Sequence, residues 1–276
     1  IAGNLARAKA SDMEDARYSL KIDSRIEASD DMNLMSDSDV VIVTAGLPRK
    51  PGMMREDLLA KNGVIMTQVC DNIKKHASKA IVVIVSNPLD VMTYLAYKLT
   101  GLDRHRIFGM GVSLDTARFV NLIAKKLSVS VSKIEALVIG SHGETMLPLP
   151  HFSKVEGKPL TEILKTSEVE DLVKATKQRG AEIVSLYGSG SAYYAPAAAI
   201  YQIAQAIISG RSQDIPVCAV LDGEFGLKDV AIGVPAKIGA SGIEKILEID
   251  LDTRERDALA VSARSIQDAA KLVVTF

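Results

Sequence analysis

Six residues of this chain could together handle a small anionic substrate: Arg49, Arg55, Asn87, Asp115, Arg118 and His142. An imidazole takes or gives a proton near neutral pH, and a carboxylate beside it fixes its tautomer and favours the imidazolium. Guanidinium groups hold carboxylates as bidentate pairs. That set suits the oxidation of a secondary alcohol flanked by carboxylates, which needs a base for the hydroxyl proton and a cation for each carboxylate. Singly, each has an ordinary reading. Asp115 and Arg118 read as a surface i,i+3 pair, Asn87 as a turn former, Arg49 and Arg55 as a solvated basic turn, and His142 as a loop histidine. Of the other histidines, His76 stands at a helix end, His105 between two arginines and His151 in a proline-rich turn, and all three read as surface or capping residues.

The elements that must position these groups follow from apolar patterning. Val40-Val41-Ile42-Val43 reads as a buried parallel strand. The loop Thr44-Ala45-Gly46-Leu47-Pro48-Arg49-Lys50-Pro51-Gly52-Met53-Met54-Arg55 lies just beyond its carboxyl end, where open α/β sheets bind ligands. Its prolines and glycines forbid helix and strand, so it is expected to close over an anion. Glu56 to Ala77 has helical spacing and Ala80 to Val85 reads as a second buried strand, which makes a right-handed βαβ unit. Asn87 ends that strand in Ser86-Asn87-Pro88. A helix from Met92 to Thr100 and a short strand Arg106 to Gly109 complete a doubly wound first part, residues 1–110.

Residues 111–276 read as a mixed α+β second domain. A helix is expected from Leu114 to Leu127, a strand at Ala136–Ile139, turn-rich sequence through Pro150 and a hairpin at Glu156-Gly157. Long helices follow at Val169–Leu186 and Tyr194–Ile208, then three short strands near Val217–Leu221, Val230–Val234 and Ile243–Ile249. Asp252 with Glu255 starts the final helix as a capping box. Leu272-Val273-Val274-Thr275-Phe276 reads either as a further strand or as the last turn of that helix.

Composition narrows the function classes. With 47% hydrophobic and 24% charged residues among 276, the chain reads as a soluble globular protein of one large or two medium domains. A net charge of -1 advertises neither a nucleic-acid nor a membrane partner, and no apolar run approaches a membrane span. Cys70 and Cys218 are too far apart to suggest a disulfide framework or a metal cluster, and a reducing cytoplasm is expected.

In order and spacing, T-A-G-L-P-R-K-P-G-M-M-R, Asn62, V-S-N-P-L-D, L-D-T-A-R-F and G-S-H-G-E resemble the lactate/malate dehydrogenase family. The match continues through Tyr194-Ala195-Pro196, Asp222-Gly223-Glu224-Phe225-Gly226 and Ile232-Gly233-Val234-Pro235. The resemblance implies a Rossmann-type parallel sheet followed by a mixed α+β catalytic domain, and a nicotinamide-dependent 2-hydroxyacid dehydrogenase of the tricarboxylic acid cycle. His142 would be the proton acceptor and Asp115 its orienting carboxylate. Arg118 would hold the C1 carboxylate of the substrate, Arg55 would polarise the reacting oxygen, and Arg49 would select the other end of the substrate. Asn87 would bond the substrate oxygen beside the nicotinamide, and Thr44, Ala45, Gly46, Asn62 and Val85 would line the cofactor. The cofactor expected is NAD, with NADP open, and a homodimer or homotetramer is implied.

A cation at Arg49, desolvated by loop closure, stays unpaired with pyruvate but meets a second carboxylate in oxaloacetate, so malate is expected over lactate. The alternatives are a lactate or other 2-hydroxyacid dehydrogenase, or a non-catalytic dicarboxylate-binding relative. The family opens with a strand, a G-x-G-x-x-G turn, a helix and a second strand ending in an acidic residue. These are not in the sequence, which is expected to be N-terminally incomplete by roughly 30 to 35 residues, about one βαβ unit. Smaller departures are Ser113 before Leu114-Asp115, Ser141 and Glu144 around His142, and Ala192.

Overall fold

A computed structural model describes residues 3–48, 54–188 and 190–273. The helices are α1 (Gly3–Leu20), α2 (Arg55–His76), α3 (Leu89–Thr100), α4 (Val112–Leu127), α5 (Leu160–Ile163), α6 (Thr166–Tyr187), α7 (Tyr194–Ser209) and α8 (Thr253–Ala270). The strands are β1 (Val40–Val43), β2 (Ile81–Ile84), β3 (Ile107–Gly109), β4 (Ile134–Glu135), β5 (Val138–Gly140), β6 (Met146–Pro148), β7 (Lys154–Val155), β8 (Lys158–Pro159), β9 (Gln213–Asp222), β10 (Lys228–Gly239) and β11 (Gly242–Ile246). An eight-stranded sheet runs β1-β2-β3-β9-β10-β5-β6, with β11 paired to β10, and β4, β7 and β8 form a small second sheet.

The expected βαβ unit is present. β1 and β2 pair in parallel from Val40↔Ile81 to Val43↔Ile84, and β2 pairs in parallel with β3. Between β1 and β2, α2 buries Leu58, Leu59, Asn62, Met66, Cys70 and Ile73 at three- and four-residue spacing. Glu56 and Asp57 in its first turn and Lys74, Lys75 and His76 in its last complement its dipole. Every residue of α3 from Leu89 to Ala96 is buried, and the helix stops at Gly101 in the left-handed conformation. The capping box of Asp252 and Glu255 opens α8.

Several elements differ from expectation. The two halves share one sheet, because β3 pairs antiparallel with β9 at Gly109↔Cys218. Two small residues allow that approach: a Cβ on Gly109 would lie only 3.1 Å from Cys218 Cβ. The strands expected to be short at Val217 and Val230 are 10 and 12 residues long. Pro216 and Pro235 read as strand ends, but they sit opposite one another in the β9–β10 ladder, a pairing that asks neither for an N–H. Met146–Pro148, expected as turn, pairs with β5. The helix α1, which buries no residue, has no apolar stripe from which it could be foreseen. Leu272 and Val273 donate to the carbonyls of Ala269 and Ala270 at 3.2 and 3.1 Å, so this part of the terminal run is helix end and not strand. The rest of that run lies outside the described residues.

The main core lies on both faces of the large sheet, and a second apolar cluster of Val112, Phe119, Ile123, Leu160, Val169 and Leu172 joins α4 to α5 and α6. The first two turns of α4, which carry Asp115 and Arg118, are thereby held against both layers.

Candidate active site

The predicted cofactor-side residues assemble at the carboxyl ends of β1 and β2. Thr44, Ala45 and Gly46 follow β1 and are exposed, as is Asn87 after β2, while Val85 is half-buried. Asn62, 2% exposed, reaches out of α2 to tie these turns together. Its Oδ1 accepts the Leu47 N–H at 2.8 Å, and its Nδ2 donates to the carbonyls of Leu47 at 3.2 Å and Asn87 at 2.7 Å. Ser86 Oγ donates to the Ala45 carbonyl at 2.5 Å. One buried amide thus sets the relative position of two strand-end loops, and the bond between Asn87 and Pro88 is cis.

The chemical groups meet on the adjoining flank. Asp115, 0% exposed in the first turn of α4, uses both oxygens: Oδ1 accepts from Arg118 Nη1 at 3.1 Å and Oδ2 faces His142 Nδ1 at 2.7 Å. The i,i+3 pair expected at a surface is therefore buried, because the helix start lies under the β5–β6 loop. A ring nitrogen facing a carboxylate carries the proton, so Nδ1–H donates to Asp115 and Nε2 is left with its lone pair. Burial works against the imidazolium, but the charge and hydrogen bond of Asp115, with the charge of Asp90, outweigh it and the repulsion of Arg118. The His142 pKa is held above its ordinary value. The buried Arg118 Nε has no hydrogen-bond partner among the described residues. Gly180 of α6 backs it, at 3.4 Å from the position a Cβ would occupy to Arg118 Nη1.

The loop bearing His142 leaves β5 through Gly140 at φ +86°, a left-handed turn that favours glycine. It is pinned on both sides. The Ser141 N–H donates to Ser262 Oγ of α8 at 2.9 Å, and Thr145 Oγ1 lies 2.7 Å from Ser141 Oγ and 3.1 Å from Ser262 Oγ. The His142 N–H donates to Asp90 Oδ2 of α3 at 2.9 Å. Asp90 is 5% exposed, its Oδ1 has no hydrogen-bond partner among the described residues, and the Cys218 thiol lies against its carboxyl group. Burial pushes its pKa up to about 6, against the pull of the His142 charge and N–H.

Sequence reasoning missed Asp90 and Ser262. Asp90 lies in the motif Val85-Ser86-Asn87-Pro88-Leu89-Asp90, where an acid in the first turn of a helix already has a reason to be there. Ser262 was detectable as a hydroxyl on the buried stripe Leu259, Ala263, Ile266 of α8. Arg49 lies outside the described residues. Arg55 opens α2, one residue before the expected start, and its side chain is also outside them. His76 ends α2, His105 Nδ1 pairs with Asp103 at 2.9 Å, and His151 Nδ1 pairs with Glu255 at 2.9 Å, all three apart from this site. A cavity of about 620 Å³ lined by Asp39, His76, Lys79 and Arg106 opens at the amino ends of β1 and β2, the edge opposite the strand-end loops.

The chain matches two family models, the lactate/malate dehydrogenase NAD binding domain over residues 1–109 and the lactate/malate dehydrogenase alpha/beta C-terminal domain over residues 112–276. It is 43% identical over 273 residues to a malate dehydrogenase of Chlorobium chlorochromatii, covering 99% of this chain and 88% of that protein. To a malate dehydrogenase of Methanosarcina mazei it is 44% identical over 267 residues, 97% of this chain and 87% of the other. The structure superposes on the malate dehydrogenase from Aeropyrum pernix with a TM-score of 0.93 at 39% identity, covering 96% of this chain and 86% of that one. It also superposes on the lactate dehydrogenase from Cryptosporidium parvum complexed with lactic acid and nicotinamide adenine dinucleotide, with a TM-score of 0.93 at 33% identity, covering 97% and 86%. With a doubly wound sheet, a buried Asp115–His142 pair and both family models matched along its length, this chain belongs to the lactate/malate dehydrogenase family.

Proposed function

We propose that this chain is an NAD-dependent oxidoreductase that interconverts malate and oxaloacetate. The observation that carries the reading is the buried row Arg118–Asp115–His142 beside the exposed strand-end turns. In this reading the row supplies a base with a free Nε2, an orienting carboxylate and a carboxylate clamp, on one flank of the sheet edge where open α/β folds bind dinucleotides. The name of the amino-terminal family model and the malate dehydrogenases at 42–44% identity support it.

The residues present fit the nicotinamide end of such a cofactor. The turns after β1 and β2 are exposed, and Asn62 spends its polar atoms on their backbones instead of on solvent. Thr44, Ala45, Gly46, Val85 and Asn87 would line the group, with Asn62 fixing their spacing. No glycine-rich phosphate turn occurs among the described residues. When bound, the nicotinamide supplies hydride exchange at the substrate carbon bearing the hydroxyl. Arg118 binds one substrate carboxylate and fixes the orientation of that carbon. His142 Nε2 takes the hydroxyl proton as malate is oxidised and returns it in the reverse direction. Asp115 holds the ring in the required tautomer and stabilises the imidazolium. Asn87 bonds the substrate oxygen, Arg55 polarises it, and Arg49 meets the second carboxylate.

Division at residue 110 into a cofactor domain and a catalytic domain is part of the same reading, as is a homodimer or homotetramer. Leu5, Met13 and Tyr18 of α1 and Tyr194, Tyr201 and Ile208 of α7 are exposed, apolar side chains that a second copy of the chain could cover. No helix among the described residues is long and apolar enough to cross a membrane, and two buried free cysteines fit a reducing cytoplasm. Initial rates with the purified protein test the function: NADH oxidation is expected to be faster with oxaloacetate than with pyruvate, and faster than NADPH oxidation. Arg49→Gln is expected to erase most of the preference for oxaloacetate. Faster pyruvate reduction by the unaltered protein would overturn the malate reading.

A further inference from the structure

His142 faces two buried carboxylates, and only one of them belongs to the pair just described. Asp115 meets the ring at Nδ1, whereas Asp90 comes from another helix and meets the backbone N–H of the same residue at 2.9 Å. An ordinary structural acceptor for one N–H need not be charged, since a carbonyl, hydroxyl or amide serves as well. Among the described residues this carboxylate receives one backbone N–H and the weak thiol donor of Cys218, with Oδ1 left without an N–H or O–H, which is an expensive choice for a buried position. The neighbouring loop tie is made with a neutral group, the hydroxyl of Ser262. What distinguishes Asp90 is its charge.

We propose that Asp90 is a positioning residue whose charge matters: it anchors the His142 loop through the backbone and, as a second buried anion, favours the imidazolium form of that side chain. The inference rests on the reading of His142 as the proton acceptor. The charged and titratable groups involved are His142 on the β5–β6 loop, Asp115 and Arg118 on α4, and the Cys218 thiol on β9. Arg118 faces Asp115 and repels the imidazolium, so one carboxylate is partly engaged by a cation before the ring is protonated. Among the described residues no arginine or lysine is paired with Asp90, which supplies negative charge that the first carboxylate shares with Arg118. Asp90 carries the opposite burden: burial raises its own pKa while the imidazolium lowers it, so protonation of the ring and ionisation of Asp90 favour one another.

The test is the pH profile of kcat/KM for malate oxidation in wild type and Asp90→Asn. Oxidation needs the neutral ring in the free site, so the profile rises with pH and levels off above the His142 pKa. Asparagine keeps the size and an oxygen for the His142 N–H and removes the charge. The midpoint is expected to move to lower pH by about one unit, while oxaloacetate reduction, which needs the imidazolium, loses its rate from correspondingly lower pH. A profile lowered in height with its midpoint unmoved would make Asp90 a purely structural anchor and overturn the proposal. Should the variant not fold, carboxyl ¹³C and imidazole ¹⁵N titrations of the wild-type protein decide: a buried aspartate carboxyl is expected to inflect where the His142 ring titrates. Absence of any buried aspartate carboxyl inflecting with the His142 ring would overturn the proposal. Absence of malate turnover in wild type would instead defeat the functional reading, so the two failures are distinguishable.

Discussion

Replacing Asp90 by asparagine is expected to change how stability depends on pH, by an amount that follows from its surroundings. Asp90 is 5% exposed, and burial of its carboxyl group, against the pull of the His142 charge and N–H and of the Cys218 thiol, raises its pKa from an ordinary 3.8 to about 6. A carboxyl whose folded pKa is raised binds its proton more tightly in the folded state. Its stabilising contribution is complete below pH 3.8 and is lost as pH climbs through about 6. A rise of this size corresponds to about 3 kcal/mol lost in total, of which about 1.4 kcal/mol is lost between pH 5 and pH 8. Asparagine does not titrate. Its own costs, including an amide N–H without an acceptor, do not vary with pH, and the lowered His142 midpoint proposed above adds to the gap in the same direction, so the Asp90 figure is a lower bound. Urea unfolding of wild type and Asp90→Asn at one fixed protein concentration, which matters for an oligomer, measures the difference. The stability of the variant relative to wild type should rise by at least about 1.4 kcal/mol from pH 5 to pH 8. A gap constant to within about 0.5 kcal/mol, well under that linkage figure, would refute the placement of a buried, proton-binding carboxylate behind His142.

Asp115→Asn removes a buried charge that both Arg118 and His142 use, and kcat for malate oxidation is expected to fall at least about 100-fold, the scale of 3 kcal/mol for an unpaired buried ion. Steady-state rates check this, and a loss under tenfold would contradict it. Asn62→Ala breaks three hydrogen bonds between the strand-end turns and leaves the Leu47 N–H without its partner, so NADH affinity measured by fluorescence titration should weaken and unfolding free energy drop by about 1–3 kcal/mol. Gly233→Ala would drive a methyl group into Val112 and the Gly140 carbonyl where β10, β5 and α4 converge, with an expected cost of about 3 kcal/mol that a thermal unfolding scan would show as a lowered Tm.

Much of the scaffold was legible because its signals are local. Val40–Val43 and Ala80–Val85 read as buried strands since parallel strands covered on both faces are uniformly apolar, and α2 and α8 were bounded by charge and capping residues whose partners are three or four positions away. The pairing of Asp115 with Arg118 was visible for the same reason, and the site residues near His142 were ordered by their resemblance to a family. Length and pairing of β9 and β10 were not legible, because Pro216 and Pro235 are admissible only when set opposite one another, a fact of register and not of either strand. The merging of both halves into one sheet likewise depends on Gly109 meeting Cys218.

The sequence by itself determined which groups could do chemistry and at which sheet edge they would stand: an imidazole, its carboxylate, strand-end amides and a set of arginines. Tertiary structure alone decided the state of those groups. An i,i+3 pair expected on a surface became a buried relay because the β5–β6 loop covers the first turn of α4. An ordinary helix-start acid, Asp90, became a second anion beside the histidine because α3 is buried along its first eight residues. Charge type is written residue by residue, but the burial of a charge and the charges that face it are set by elements distant in the chain; burial raises the pKa of Asp90, while facing carboxylates raise that of His142 against its burial.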